Sequence, residues 1–182
     1  LELTKRLARR VSETGACIVS GGAFGVDVAA HRAALKFGGT TIAVLGSGLS
    51  YPTPTTHHTL FREIIQHGAL LSPFACDQRA APWTFVRRNT YIAALVETLI
   101  VVQAGEKSGA LHTARDALKM GKPVWVVPGA FDNSLHAGCH RLVSEGARLL
   151  THETEWNDGT LSSKEGEPSR PLVRAAPDYA LD

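Results

Sequence analysis

The sequence predicts an α/β protein with a mainly parallel sheet and helices on both faces. Short runs that are apolar throughout, such as Thr41 to Leu45, Thr98 to Val102 and Val124 to Val127, alternate with longer amphipathic segments. A strand that is apolar on both sides needs cover on both faces, which is the condition of a parallel sheet. Glycine-bearing turns close several of these runs and lead into the next helix, as strand–helix–strand units require.

Leu3, Leu7 and Val11 recur every four residues with Lys5, Arg6, Arg9 and Arg10 on other faces, so the chain opens in an amphipathic helix that Gly15 ends. Cys17 to Val19 is the first strand. A helix follows from about Val26 to Phe37 and stops at Gly38-Gly39. Thr41 to Leu45 is the second strand and closes on Gly46-Ser47-Gly48. Tyr51 to Pro54 is a proline-broken loop, Thr59 to Gln66 a helix and Ala69 to Leu71 a short strand. Ser72 to Phe85, rich in Pro and Ala, reads as irregular, with helix over Thr90 to Leu95. Thr98 to Val102 is a strand, Gly105 to Gly109 a further glycine turn, and Ala110 to Met120 a helix capped by Gly121. Val124 to Val127 ends in Pro128-Gly129, His140 to Glu145 is a short helix, and Arg148 to Leu150 is the last strand. Beyond Thr151 the apolar periodicity fades. Residues 1–155 therefore read as one core domain and 156–182 as a flexible C-terminal tail or linker.

Composition narrows the function. At 182 residues, 44% hydrophobic and 20% charged, the chain has the makeup of an ordinary globular domain. Its net charge of +2 neither demands nor forbids nucleic acid, because a local basic patch outweighs the sum. Cys17, Cys76 and Cys139 are widely spaced and form no Cys-x-x-Cys pair. They predict reduced thiols in a cytoplasmic protein, with neither zinc nor a disulfide framework. No apolar run approaches the ~20 residues that span a bilayer, and Leu1 to Arg10 is too basic for a signal peptide. No membrane partner is expected. The chain lacks an initial Met and starts inside a helix, so upstream residues are expected.

In an open parallel sheet, ligands lie beyond the carboxyl ends of the strands. Ser20-Gly21-Gly22, Gly46-Ser47-Gly48, Gly105 to Gly109 and Pro128-Gly129 all fall on that edge. One such turn serves packing as readily as a ligand, but their convergence points to a phosphate seat. In the first, Gly21, Gly22 and Gly25 let the backbone approach a ligand, and Asp27 sits in the first helical turn. Gly-Gly-x-x-Gly differs from Gly-x-Gly-x-x-Gly, no Gly-Lys-Ser or Gly-Lys-Thr closes a P-loop, and no acidic residue ends the second strand. A dinucleotide dehydrogenase or an ATPase is thus disfavoured.

Phe85-Val86-Arg87-Arg88-Asn89 is the best polar constellation, since two cations and an amide beside a ring suit phosphate contact plus base stacking. The bland alternative is a solvated basic helix start with Phe85 in the core. Trp83 is a second stacking ring or simply packing. Ser108-Gly109 offers a hydroxyl and backbone donors beside Lys107, and Ser108 reads equally as an N-cap. Asp27 and His31 share a helix face and read as structural hydrogen-bonding groups. Ser20 and Ser47 lack a Gly-x-Ser-x-Gly elbow, no carboxylate pair has acid–base spacing, and the histidines are scattered. No catalytic residue, cofactor or metal site is predicted.

Together these segments resemble the DNA-processing protein A (DprA, also called Smf) family. The matching stretches are Val19 to Asp27 with Ala30-His31, Thr41 to Gly46 leading to Tyr51-Pro52, and Arg88-Asn89 with Ile92 to Leu95. Ser108 to Leu111 with Thr113-Ala114, Val126 to Gly129 and Ala137 to His140 complete the series over roughly residues 1–150. The resemblance implies an α/β, extended Rossmann-like domain that binds single-stranded DNA and helps load the RecA recombinase during natural transformation. It also implies a homodimer and no catalytic turnover. The DNA pocket it implies comprises Ser20, Gly21, Gly22, Phe24, Gly25, Phe85, Arg87, Arg88, Asn89, Lys107, Ser108 and Gly109. Backbone N–H groups would hold phosphates and the arginines neutralise them.

This sequence departs from the family pattern at Phe24, where arginine is frequent, and at Thr90, where an arginine commonly follows Arg-Asn. Pro73 and Gln103 stand where glutamates are usual, and the family's first strand is expected before Leu1. Two rival classes share such glycine turns. One is a phosphoribohydrolase-like enzyme acting on nucleoside monophosphates, whose signature glutamate is missing from Gly105 to Thr113. The other is a nucleotide-sensing module without turnover.

Overall fold

Hydrogen bonding sorts the strands of the computed structural model, which describes residues 1–152, 156–157 and 160–161, into two parallel three-stranded sheets and a short hairpin. The order is α1 (Glu2–Glu13), β1 (Ile18–Ser20), α2 (Val26–Lys36), β2 (Thr41–Val44), α3 (His58–His67), β3 (Gly68–Leu71) and α4 (Pro82–Leu95). There follow β4 (Leu99–Val101), α5 (Ala110–Lys119), β5 (Val124–Val126), α6 (Ala137–Ser144) and β6 (Arg148–Leu149). In one sheet Ile18 faces Thr41 and Thr41 faces Gly68; in the other Leu99 faces Val124 and Trp125 faces Arg148. Every helix separates two parallel strands or flanks them, as the apolar runs predict.

The runs are apolar throughout because both of their faces are covered. Val124 and Val126 pack with Val101, Leu111, Ala114 and Leu142 on one side of the second sheet. Trp125 and Val127 point the other way, into Leu7 of α1 and Leu150. In the first sheet Ala43 and Leu45 meet Leu60, Phe61 and Ile64 of α3. Each of the Val, Leu, Ile and Phe side chains contributes about 1.5–3 kcal/mol of burial energy. Among the described residues no ladder hydrogen bond joins β1 to β4. Helices tie the two sheets instead: α1 packs on both α2 and the second sheet's core, while α4 contacts β1, β2 and α5.

Three boundaries differ from the sequence reading. Helix α4 begins at Pro82, inside the segment expected to be irregular. Proline is suited to the first helical position because its missing N–H has no partner there anyway. The Thr84 hydroxyl also accepts the Ala81 N–H at 3.0 Å. Helix α6 begins at Ala137 rather than His140. Its Gly138, a poor helix former by propensity, donates to Ala104 O at 2.9 Å, and a Cβ there would lie 2.6 Å from Gly105 O. Finally, β7 (Trp156–Asn157) and β8 (Thr160–Leu161) pair antiparallel within the stretch read as a tail. The rest of residues 156–182 lies outside the described residues.

Candidate nucleic-acid interface

The turn after β1 needs glycine for two different reasons. Gly22 (φ +69°) and Gly25 (φ +87°) take the left-handed backbone conformation that other residues avoid. Gly21 instead lacks room: a Cβ there would lie 2.2 Å from Nη1 of Arg88. Gly46, after β2, is likewise pressed by the Phe85 ring at 2.6 Å, and Gly129, after β5, by His136 at 2.2 Å. These glycines admit the protein's own side chains, whereas the sequence reading had them admit a ligand. Gly25 alone among these positions faces open space. Beside it, Asp27 accepts the Ala23 N–H at 3.1 Å, and the first N–H groups of α2 have no intrahelical partner.

Helix α4 locks this turn to its neighbours. Arg88 is only 5% exposed. Its Nη1 donates to Gly21 O at 2.6 Å and also to Val44 O, and its Nε donates to Asn89 Oδ1 at 3.1 Å. Asn89 Nδ2 in turn donates to Gly109 O at 3.2 Å, and the Thr84 hydroxyl donates to Gly46 O. One helix face thus gathers the ends of β1 and β2 and the start of α5. Burial pulls the Arg88 pKa below the ordinary arginine value, opposed by the Asp27 carboxylate. Arg88 and Asn89, expected as phosphate contacts, are committed to backbone carbonyls, and among the described residues Nη2 of Arg88 has no acceptor.

The two predicted rings differ in kind. Phe24 is 70% exposed and stands edge-on to His57, with ring centroids 4.5 Å apart. His57 is buried, and its Nδ1 donates to Gly22 O at 2.9 Å. Phe85 is half-buried beneath Gly46 with the Arg88 guanidinium 5.9 Å from its centroid, so part of it is core. Trp83 remains exposed at the start of α4, against the edge of Phe74.

Arg87 projects from another face of α4, lining a shallow hollow of about 270 Å³ with Thr90, Tyr91 and Ala94. It is exposed, as is Lys107, and neither has a carboxylate partner among the described residues. Ser108 Oγ accepts the Ala110 N–H at 3.3 Å from one residue ahead of the helix cap, which is Gly109 rather than Ser108. His31 is fully buried and donates from Nδ1 to Thr41 Oγ1 at 2.7 Å, because the Thr41 hydroxyl proton goes to Ile18 O. Its Nε2 has no partner among the described residues. Burial pulls the His31 pKa down to about 4, with Asp27 pushing it up and Arg88 and His57 pushing it down. The ring is a neutral structural group hydrogen-bonded to Thr41.

The structure therefore brings together Ser20 to Gly25, Phe85, Arg88, Asn89 and Gly109 by hydrogen bonds and ring packing, and leaves Arg87 and Lys107 outside that set. Sequence reading missed His57 and Thr84. Each acts across a long separation, on Gly22 and Gly46, and no local pattern marks either. Among the described residues no group of three His, Cys, Asp or Glu side chains could hold a metal, and no helix is long and apolar enough to cross a membrane.

Fold and rim define a Rossmann-like α/β protein whose first glycine turn opens onto a helix start. The family model described as DNA recombination-mediator protein A matches residues 1–159. The chain belongs to this DprA/Smf family. It is 41% identical over 167 residues to the putative DNA processing protein DprA of Mycobacterium tuberculosis, covering 91% of this chain and 43% of that protein. The chain thus spans less than half of that relative. Among solved structures, DNA processing protein A from Helicobacter pylori, described for its single-stranded DNA binding mode, superposes with a TM-score of 0.77 at 35% identity. That match covers 85% of this chain and 70% of the other. DprA from Streptococcus pneumoniae gives a TM-score of 0.74 at 34% identity, covering 85% and 56% respectively.

Proposed function

We propose that this chain is the single-stranded-DNA-binding module of a recombination mediator. The observation that carries the reading is the turn after β1, where an exposed Phe24 ring stands beside the unpartnered N–H groups of the α2 start. Such N–H groups and the positive helix end favour a phosphate. A ring with a free face takes a base whatever its identity. Arg88 and His57 hold the turn from beneath, so the platform is set before DNA arrives. Arg87, Lys107 and the open side of Gly25 supply further backbone contacts, and Phe85 its exposed edge. Family membership supports DNA rather than a free nucleotide as the ligand. In the same reading the protein is cytoplasmic, pairs as a homodimer, hands its strand to RecA in natural transformation and turns over no substrate.

Titration of a fluorescein-labelled oligo-dT by anisotropy tests this. Affinity should fall steeply with salt, because neutralised phosphates release counterions. Phe24→Ala should weaken binding about tenfold, in line with ~1–3 kcal/mol per stacked base. Arg87→Ala and Lys107→Ala should each flatten the salt dependence. Binding indifferent to salt and to all three substitutions would sink the interface. Release of free base from nucleoside monophosphates would instead favour the hydrolase.

A further inference from the structure

The loop after β2 and the segment entering α4 close on each other and hold a second set of uncommitted donors. Gly48 N–H donates to Gln78 O at 2.8 Å and Ser50 N–H to Cys76 O at 3.0 Å, so the two segments run side by side. This pairing sets Arg79 over the Tyr51 ring, with the guanidinium carbon 4.4 Å from the centroid. A hollow of about 200 Å³ there is lined also by Ser50, Thr53, Thr55 and His58. Thr53 spends its hydroxyl on Tyr51 O at 3.0 Å, and His58 spends Nε2 on Pro52 O at 3.1 Å. The Arg79 guanidinium, in contrast, has no protein acceptor and no carboxylate partner among the described residues. The Ser50 and Thr55 hydroxyls are likewise uncommitted.

An arginine resting on an aromatic ring still presents its planar fork of donors, which matches two phosphate oxygens at once. The hollow is smaller than the ~300 Å³ at which pockets begin to engulf whole small ligands. It suits one phosphate of a longer strand better than a free nucleotide. Position agrees. Three extended residues and three helical steps put the Cα of Arg79 within about 16 Å of that of Phe85.

We infer that Arg79 and Tyr51 form a second subsite, which grips a backbone phosphate of single-stranded nucleic acid already seated on the α2 turn. The inference rests on the DNA-binding reading above. At about 3.4 Å per stacked nucleotide, a span at that limit takes roughly five nucleotides. A dT4 should therefore fill the first subsite only, and a dT20 both.

The full chain is titrated with labelled dT20, and with dT4 by competition, as wild type, Arg79→Ala, Arg79→Lys and Tyr51→Ala. Arg79 is exposed, so thermal midpoints should stay within a degree or two. Arg79→Ala should weaken dT20 about five- to tenfold and leave dT4 within twofold. Its log–log salt slope should become shallower by about 0.7, the single-strand value for one phosphate. Arg79→Lys should restore the slope but only part of the affinity, and Tyr51→Ala should follow Arg79→Ala. Equal losses on both lengths, or none on dT20, would overturn the subsite. So would inorganic phosphate at matched ionic strength erasing the difference between wild type and Arg79→Ala, because the hollow would then serve the free anion. If the wild type binds neither oligonucleotide, the DNA reading itself falls. If Phe24→Ala weakens binding and Arg79→Ala does not, only the subsite is lost.

Discussion

Arg88 and Gly21 are a matched pair, and each explains the other. The guanidinium occupies the space that any Cβ at position 21 would need, and it donates to the carbonyl of that same residue. Truncating Arg88 leaves the carbonyls of Gly21 and Val44 without their charged donor in a buried setting. Arg88→Ala should therefore cost about 3 kcal/mol, since hydrogen bonds to charged groups contribute ~1.5–3 kcal/mol each and do not simply add. Gly21→Ala should cost about 2 kcal/mol by displacing the guanidinium, a typical overpacking penalty. The two losses share one cause. In an Arg88→Ala background, Gly21→Ala should cost less than about 0.5 kcal/mol, and a urea double-mutant cycle measures this. Full additivity would show that position 21 is intolerant for some reason other than Arg88.

At the scale of elements, the start of α4 decides how the arginine pair reads. Placed in a loop before a helix at Thr90, Arg87 and Arg88 look like twin phosphate contacts. Once the helix starts at Pro82, successive residues lie about 100° apart around the axis. Arg88 then turns inward to the strand ends, and Arg87 outward beside Tyr91. The apolar strands and most helices were legible because their periodicity is local. The start of α4 was not, because Pro and Ala carry no amphipathic signal and the Thr84 hydroxyl binds residues from two places in the chain. His57 was illegible for the same reason, its partner Gly22 being distant in sequence. Thr84 itself is testable. Thr84→Val keeps its volume but removes both the donor to Gly46 O and the acceptor for Ala81 N–H. It should cost about 2 kcal/mol in urea denaturation, with Thr84→Ser recovering most of that. A neutral Thr84→Val would mean that the helix start holds without the hydroxyl.

Across the whole molecule, two sheets that share no ladder among the described residues are held together by helices, and the polar groups under the first turn lie at the junction where one of these helices, α4, meets β1 and β2. Asp27, Arg88 and His57 act on His31 there, and burial pulls the His31 pKa down to about 4. The consequence for global stability has a definite sign. Above about pH 6.5 the ring is neutral in both the folded and the unfolded chain, and it adds no pH dependence. As pH falls below that value the unfolded chain takes up a proton, whereas the native ring resists until about pH 4. Stability is therefore lost across that window, by about 1.4 kcal/mol per pH unit and roughly 3 kcal/mol in all. His31→Asn keeps a donor for Thr41 and has nothing to titrate. It should lower stability uniformly at neutral pH and flatten the decline between pH 6.5 and 4. Urea midpoints of both proteins at pH 7.5, 6, 5 and 4.5 give the comparison, and contributions from carboxylates cancel in the difference. Parallel pH profiles would mean that the native ring accepts its proton as readily as the unfolded one, and that the junction tolerates a charge at its centre.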